Sequence, residues 1–130
     1  MNEHDDDTLD PVDRLVLEDA TYHRDAYLFV LAAVEATVAR LPARRHISGR
    51  ELLEGIREFA LERYGLMTKT VFDHWGVSRT EDFGAIVFRL VHAGVLSKTP
   101  EDSMKDFEGA YDFEAAFVDR FPWNRGEWEL

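Results

Sequence analysis

There is no cysteine in this 130-residue chain, which excludes disulfides, thiolate zinc sites and iron–sulfur clusters. A chain without such staples depends on its core, and at this length it buries roughly two thirds of its unfolded surface, enough for one domain. No apolar run approaches the ~20 residues needed to span a bilayer. The opening MNEHDDDTLDPVD lacks the basic start and apolar stretch of a signal peptide. Together with the missing cysteine, this makes the cytoplasm the expected compartment. Positive charge is scarce as well, with 15 Lys and Arg against 26 Asp and Glu and a formal net charge of −11. Such a chain is repelled by nucleic acids and anionic membranes, and it favours basic or apolar partners.

Catalytic signatures are missing too. The chain has no cysteine nucleophile, no G-x-S-x-G turn, no phosphate-cradling glycine loop and no H-E-x-x-H. A non-enzymatic protein with no cofactor is therefore expected. His4, His23, His46, His74 and His92 show no short ligand spacing, so no metal site is expected. The many carboxylates read as solubilising surface charge.

What is present is a helical pattern. Residues 1–12 are acidic and polar and bury too little apolar surface to offset their ordering entropy, so they read as a disordered arm closed by Pro11. Residues 13–121 read as a single helical domain with a winged-helix-like middle, and residues 122–130 as an aromatic tail. From about residue 24 to 41, Tyr27, Leu31, Val34, Val38 and Leu41 recur at spacings of four and three, widened by Leu28, Val30 and Ala33, as in a largely buried helix stopped by Pro42. Ser48 and Glu51 have the spacing of a capping box opening a second helix to about Tyr64, where Gly65 supplies the stop.

A short third helix from about residue 67 to 75 is expected to bury Met67, Val71, Phe72 and Trp75, ending at Gly76. The fourth, capped by Ser78 or Thr80, carries Phe83, Ile86, Val87, Leu90 and Val91 to a stop at Gly94. Residues 95–98 and 109–113 are then expected to pair as a short β-hairpin around a polar loop, where a wing would sit. Phe113, Phe117 and Phe121, spaced by four, extend the pattern as a helical turn or two before Pro122. The fold class expected is mainly α, with four or five helices and this C-terminal hairpin.

The helix-turn-helix outline points to DNA, but its chemistry does not. The candidate recognition helix opens on Thr80-Glu81-Asp82, and the wing loop carries Glu101, Asp102, Asp106 and Glu108 against Lys98 and Lys105. One basic island exists: Arg40, Arg44, Arg45, His46 and Arg50 fall within eleven residues. It reads as a solvated loop, as a clamp for the chain's own acidic arm, or as a grip for an outside polyanion or acidic peptide. Phe88 and His92 share a second stripe of the fourth helix, which either packs under the first helix or anchors a partner. Trp123 and Trp128 in the tail either fold back or serve the same purpose.

The strings DAYLFVLAAVEATVARL, HISGRELLEGIREFALERYG, HWGVSRTEDFGAIVFRLVHAGVLSKTPEDS and GAYDFEAAF occur in order between residues 25 and 117. In these the chain resembles an uncharacterised bacterial family largely restricted to planctomycetes and verrucomicrobia. The resemblance implies a small bacterial protein of no assigned activity and brings no catalytic residues with it.

Three functions remain, in order of preference. The first is a non-enzymatic protein-interaction domain. The second is a nucleic-acid-binding regulator using the island from Arg40 to Arg50, made unfavourable by the net charge. The third is a small-molecule binder or enzyme with a pocket between the first helix and the trihelical unit.

Overall fold

A computed structural model describes residues 9–119. Among these the fold is mainly α, with five α-helices and no strand. The first, α1 (Pro11–Glu18), lies where the sequence led us to expect no helix. Asp10 accepts a hydrogen bond from the Val12 amide at 2.8 Å, and Pro11 occupies the first helical turn, where its missing N–H costs nothing. Pro11 therefore opens a helix where the composition suggested the close of an arm, and it sets Val12 and Leu15 into the core. Residues 1–8 lie outside the described residues.

The next helix, α2 (Arg24–Ala39), is capped by the His23 ring, whose Nδ1 accepts from the Asp25 amide at 3.0 Å. Its buried face differs from the expected stripe. Ala26, Tyr27, Phe29, Val30, Ala33 and Val38 are inside, Leu31 and Val34 are half-buried, and Leu28 points outward. The segment is apolar nearly all round, so periodicity could not choose the face.

The capping box opens α3 (Gly49–Tyr64) as expected: Ser48 Oγ accepts from the Glu51 amide at 3.1 Å while the Glu51 carboxylate accepts from the Ser48 amide at 2.8 Å. α2 and α3 approach closely because Gly55 has no side chain. A Cβ built there would overlap Thr37 Oγ1 and lie 3.0 Å from Thr37 Cβ.

A single 3₁₀ turn (Gly65–Met67) leads into α4 (Thr68–Trp75). Met67 is 48% exposed, contrary to expectation. The buried Thr68 takes the inward position, and its hydroxyl donates to the carbonyls of Gly65 and Ala60 at 2.7 and 3.2 Å. Gly76 ends α4 in the left-handed region at φ 85°, where the Thr21 carbonyl comes within 2.7 Å of any added Cβ.

The last long helix, α5 (Thr80–His92), is capped by neither expected residue. Its third residue, Asp82, reaches back instead to accept from the amides of Ser78 and Arg79 at 2.8 and 3.2 Å. Thr80 is buried, and its hydroxyl donates to the Phe107 carbonyl at 2.7 Å and accepts from the Ala110 amide at 3.2 Å.

Those bonds explain why the hairpin does not form. Val95 and Leu96 donate their amides to the Leu90 carbonyl at the end of α5, and residues 109–111 are tied to α3 and α5 through side-chain bonds, so the two segments do not pair. The Gly109 amide donates to the Glu81 carboxylate at 3.0 Å, and the Tyr111 hydroxyl donates to the Leu53 carbonyl at 2.8 Å. Between them a 3₁₀ turn (Met104–Phe107) drives the Phe107 ring into the core. That ring fits because α3 and α5 each present glycine to it: a Cβ at Gly49 would lie 2.9 Å, and one at Gly84 2.8 Å, from its ring atoms. With no strand there, the middle has no wing.

After this segment, Phe113 and Phe117 bury against Phe72, and the described chain ends in a π-helix (Ala115–Asp119). Phe121 lies outside the described residues. The core is thus an aromatic cluster centred on Phe72, whose ring lies 5.3–5.8 Å from those of Phe29, Trp75, Phe83, Phe113 and Phe117.

Candidate binding cleft

The largely apolar hollow left by this packing lies where the C-terminal half of α2, the start of α3 and the C-terminal half of α5 meet the loop of residues 96–107. Its volume is about 160 Å³. Val34 and Val38 form one side and Leu52 the floor, while Val87, Phe88 and Val91 face them from α5. Leu96 and Phe107 close the loop side. Phe88 and Phe107 meet edge to face, with ring centroids 6.4 Å apart at 83°.

The rim is polar and mostly paired. His46 Nε2 lies 2.8 Å from Asp102 Oδ2, which ties the loop to the segment before α3. Asp102 also accepts from the Thr99 amide at 2.8 Å. Burial of its carboxylate opposes ionisation, but the bonds from Thr99 and His46 outweigh it and hold the group below its usual range. Arg45 donates to Glu51 at 2.8 Å. That bond, with the Ser48 amide, lowers the Glu51 carboxyl to about 2.

A group whose pKa falls on folding adds stability only when ionised, so the Glu51 contribution is complete above about 4.5 and lost as pH falls through about 2. Glu51→Gln is therefore expected to melt lower than the parent at pH 6, with the gap in Tm closing steadily between pH 5 and pH 2. A gap independent of pH would show that Glu51 acts here without its charge.

Four of the five cations of the basic island are paired with acidic side chains at the surface. Arg40 pairs with Glu58 and Glu62, Arg44 with Glu35, Arg45 with Glu51 and His46 with Asp102. Only Arg50 of the five has no acidic partner among the described residues. The sequence clusters these cations along the chain, but their partners come from α2, α3 and the 102 region, so spacing alone could not reveal the neutralisation.

Of the other residues singled out from the sequence, Phe88 is half-buried and lines the cleft beside α2. His92 is exposed on a shallow hollow with Leu15, Asp19 and Arg89. Trp123 and Trp128 lie outside the described residues.

The acidic start of α5 is also internally engaged. Asp82 accepts from the Tyr22 hydroxyl at 2.7 Å in addition to its capping bonds, and Glu81 holds Gly109. Burial, then the bond to Asp82, raises the Tyr22 phenol. Next to it, Arg89 donates to Tyr27 and Asp19 at 3.1 and 2.6 Å and covers the Tyr22 ring. This network ties the α1–α2 connection to α5. Sequence reasoning missed it because Tyr27 and Arg89 stand 62 residues apart.

Among the described residues no group of three or more His, Asp or Glu side chains could hold a metal ion, and no helix is long and apolar enough to cross a membrane. No family model matches the chain, and neither the curated proteins nor the solved structures give a match.

Proposed function

We propose that this chain is a non-enzymatic cytoplasmic protein-interaction domain that receives an apolar side chain of its partner in the cleft between α2, α3, α5 and the 96–107 loop. The observation that carries this reading is the cleft itself: about 160 Å³ of apolar hollow on a charged protein, with a rim of paired charges. Partly desolvated apolar pockets of this kind are where interface anchors seat, surrounded by contacts that exclude water. The pairing of four island cations with carboxylates and the net charge of −11 favour this reading over a polyanion partner.

The test fills the cleft. Val91 is half-buried on its α5 side. Val91→Trp is expected to fold with a Tm close to that of the parent and to lose partners that the parent retains from its native lysate in ~1 M salt, where surface charge is screened within about 3 Å. Equal retention by parent and variant would overturn the reading.

A further inference from the structure

Resting on that reading, we infer the chemistry of the occupant: a segment carrying an aromatic ring beside a basic residue, with the ring in the cleft and the cation on Asp106. Size speaks first. An apolar void of about 150 Å³ is one that accepts a benzene-sized ring, and the cleft measures about 160 Å³. The half-buried Phe88, braced edge to face by the buried Phe107, offers the ring an aromatic wall on which edge or offset contact is favourable. Since Gly49 and Gly84 hold Phe107 tightly, that wall is already in place before anything binds.

Charge supplies the second half. Asp106 lines the cleft, is half-buried, and has no hydrogen-bond donor or cation on its carboxylate among the described residues. The nearby start of α3 has its Ser48 and Glu51 amides satisfied within its own turn. A carboxylate with no partner at the edge of an apolar hollow draws an arriving cation more strongly than one in open water does. Lys98 also lines the cleft but is exposed, its ammonium 3.4 Å from the Thr99 carbonyl, so water and salt screen it. Arg45 and His46 are engaged with Glu51 and Asp102. The net charge of −11 adds long-range attraction for a basic segment.

The probes are three blocked tripeptides, acetyl-Lys-Phe-Lys-amide, acetyl-Lys-Ala-Lys-amide and acetyl-Glu-Phe-Glu-amide. Each is titrated into the full chain while the methyl signals of Val34, Val87, Val91 and Leu96 are followed by NMR. The Lys-Phe-Lys peptide is expected to shift those methyls and to bind about tenfold tighter than either control. Asp106→Asn should remove most of its advantage over Glu-Phe-Glu, and Lys98→Gln should not.

The inference falls if Lys-Ala-Lys binds as tightly, if Glu-Phe-Glu does, if the shifts lie away from the cleft, or if Asp106→Asn changes nothing. The two readings separate cleanly. Loss of a partner by Val91→Trp with no preference among the peptides keeps the interaction domain and discards the basic–aromatic occupant. Peptide binding in the cleft alongside a partner unaffected by Val91→Trp does the reverse.

Discussion

Phe72→Ala is expected to lose roughly 3–5 kcal/mol, the range for removing a fully buried phenylalanine. A domain of this kind has ~5–15 kcal/mol in all, so the loss is a large part of its stability. The Phe72 ring is wholly buried and touches rings from α2, α4, α5 and the C-terminal segment at once. The void cannot collapse without moving several elements, which places the cost at the upper end of the range. Urea denaturation followed by tryptophan fluorescence would show the midpoint falling sharply, and Trp75, 5.8 Å from Phe72, reports locally. A loss under ~1 kcal/mol would mean that the cluster is not the centre of the core.

Gly55→Ala should also destabilise, although helix propensity alone predicts the opposite. Alanine in a helix interior is favoured over glycine by ~1 kcal/mol. Against this stands the overlap of the new methyl with Thr37 Oγ1 at the α2–α3 contact. Overpacking costs ~1–3 kcal/mol, and overlap this severe belongs at or beyond the top of that range. The net expectation is a loss of ~2 kcal/mol, or roughly 6–10 °C in Tm.

Thr37 is partly buried, and its hydroxyl donates only to the Ala33 carbonyl of its own helix, so removing that hydroxyl forfeits little. Thr37→Ala should therefore be mild alone and restore most of the loss in the double variant, a coupling that a thermodynamic cycle measures directly. No rescue by Thr37→Ala would mean that the two helices are not in close contact at this point.

Helices α2 to α5 were legible, and α1 was not, because the signals that marked them are local. The Ser48–Glu51 box and the glycines at 76 and 94 act within a few residues of themselves, and each marks an observed boundary. Local signals failed where a distant partner decided the outcome. Thr80 looked like a cap but is drawn inward by the Phe107 carbonyl, 27 residues away. Residues 95–98 and 109–113 are short enough to pair as strands, yet the Leu90 carbonyl takes the Val95 and Leu96 amides, and Glu81 and Thr80 take those of Gly109 and Ala110. The arginine island was correctly seen as a cluster, but its neutralisation depends on Glu35, Glu58 and Glu62 from two helix faces. A hollow between the first long helix and the trihelical unit was expected and is there, but the loop that closes it was not legible. Phe107 closes it from a polar loop in which a lone phenylalanine shows no period.

Because the cleft walls come from α2, α3, α5 and the 96–107 loop, nothing resembling it exists in the unfolded chain. Any occupant therefore binds the native state alone and draws the folding equilibrium toward it, by ~2.7 kcal/mol at a hundred times its dissociation constant. Left empty, the apolar lining lacks contact atoms on one side and forfeits their dispersion energy. A melting curve recorded against rising concentrations of a candidate occupant would therefore register binding in the cleft as a rise in Tm.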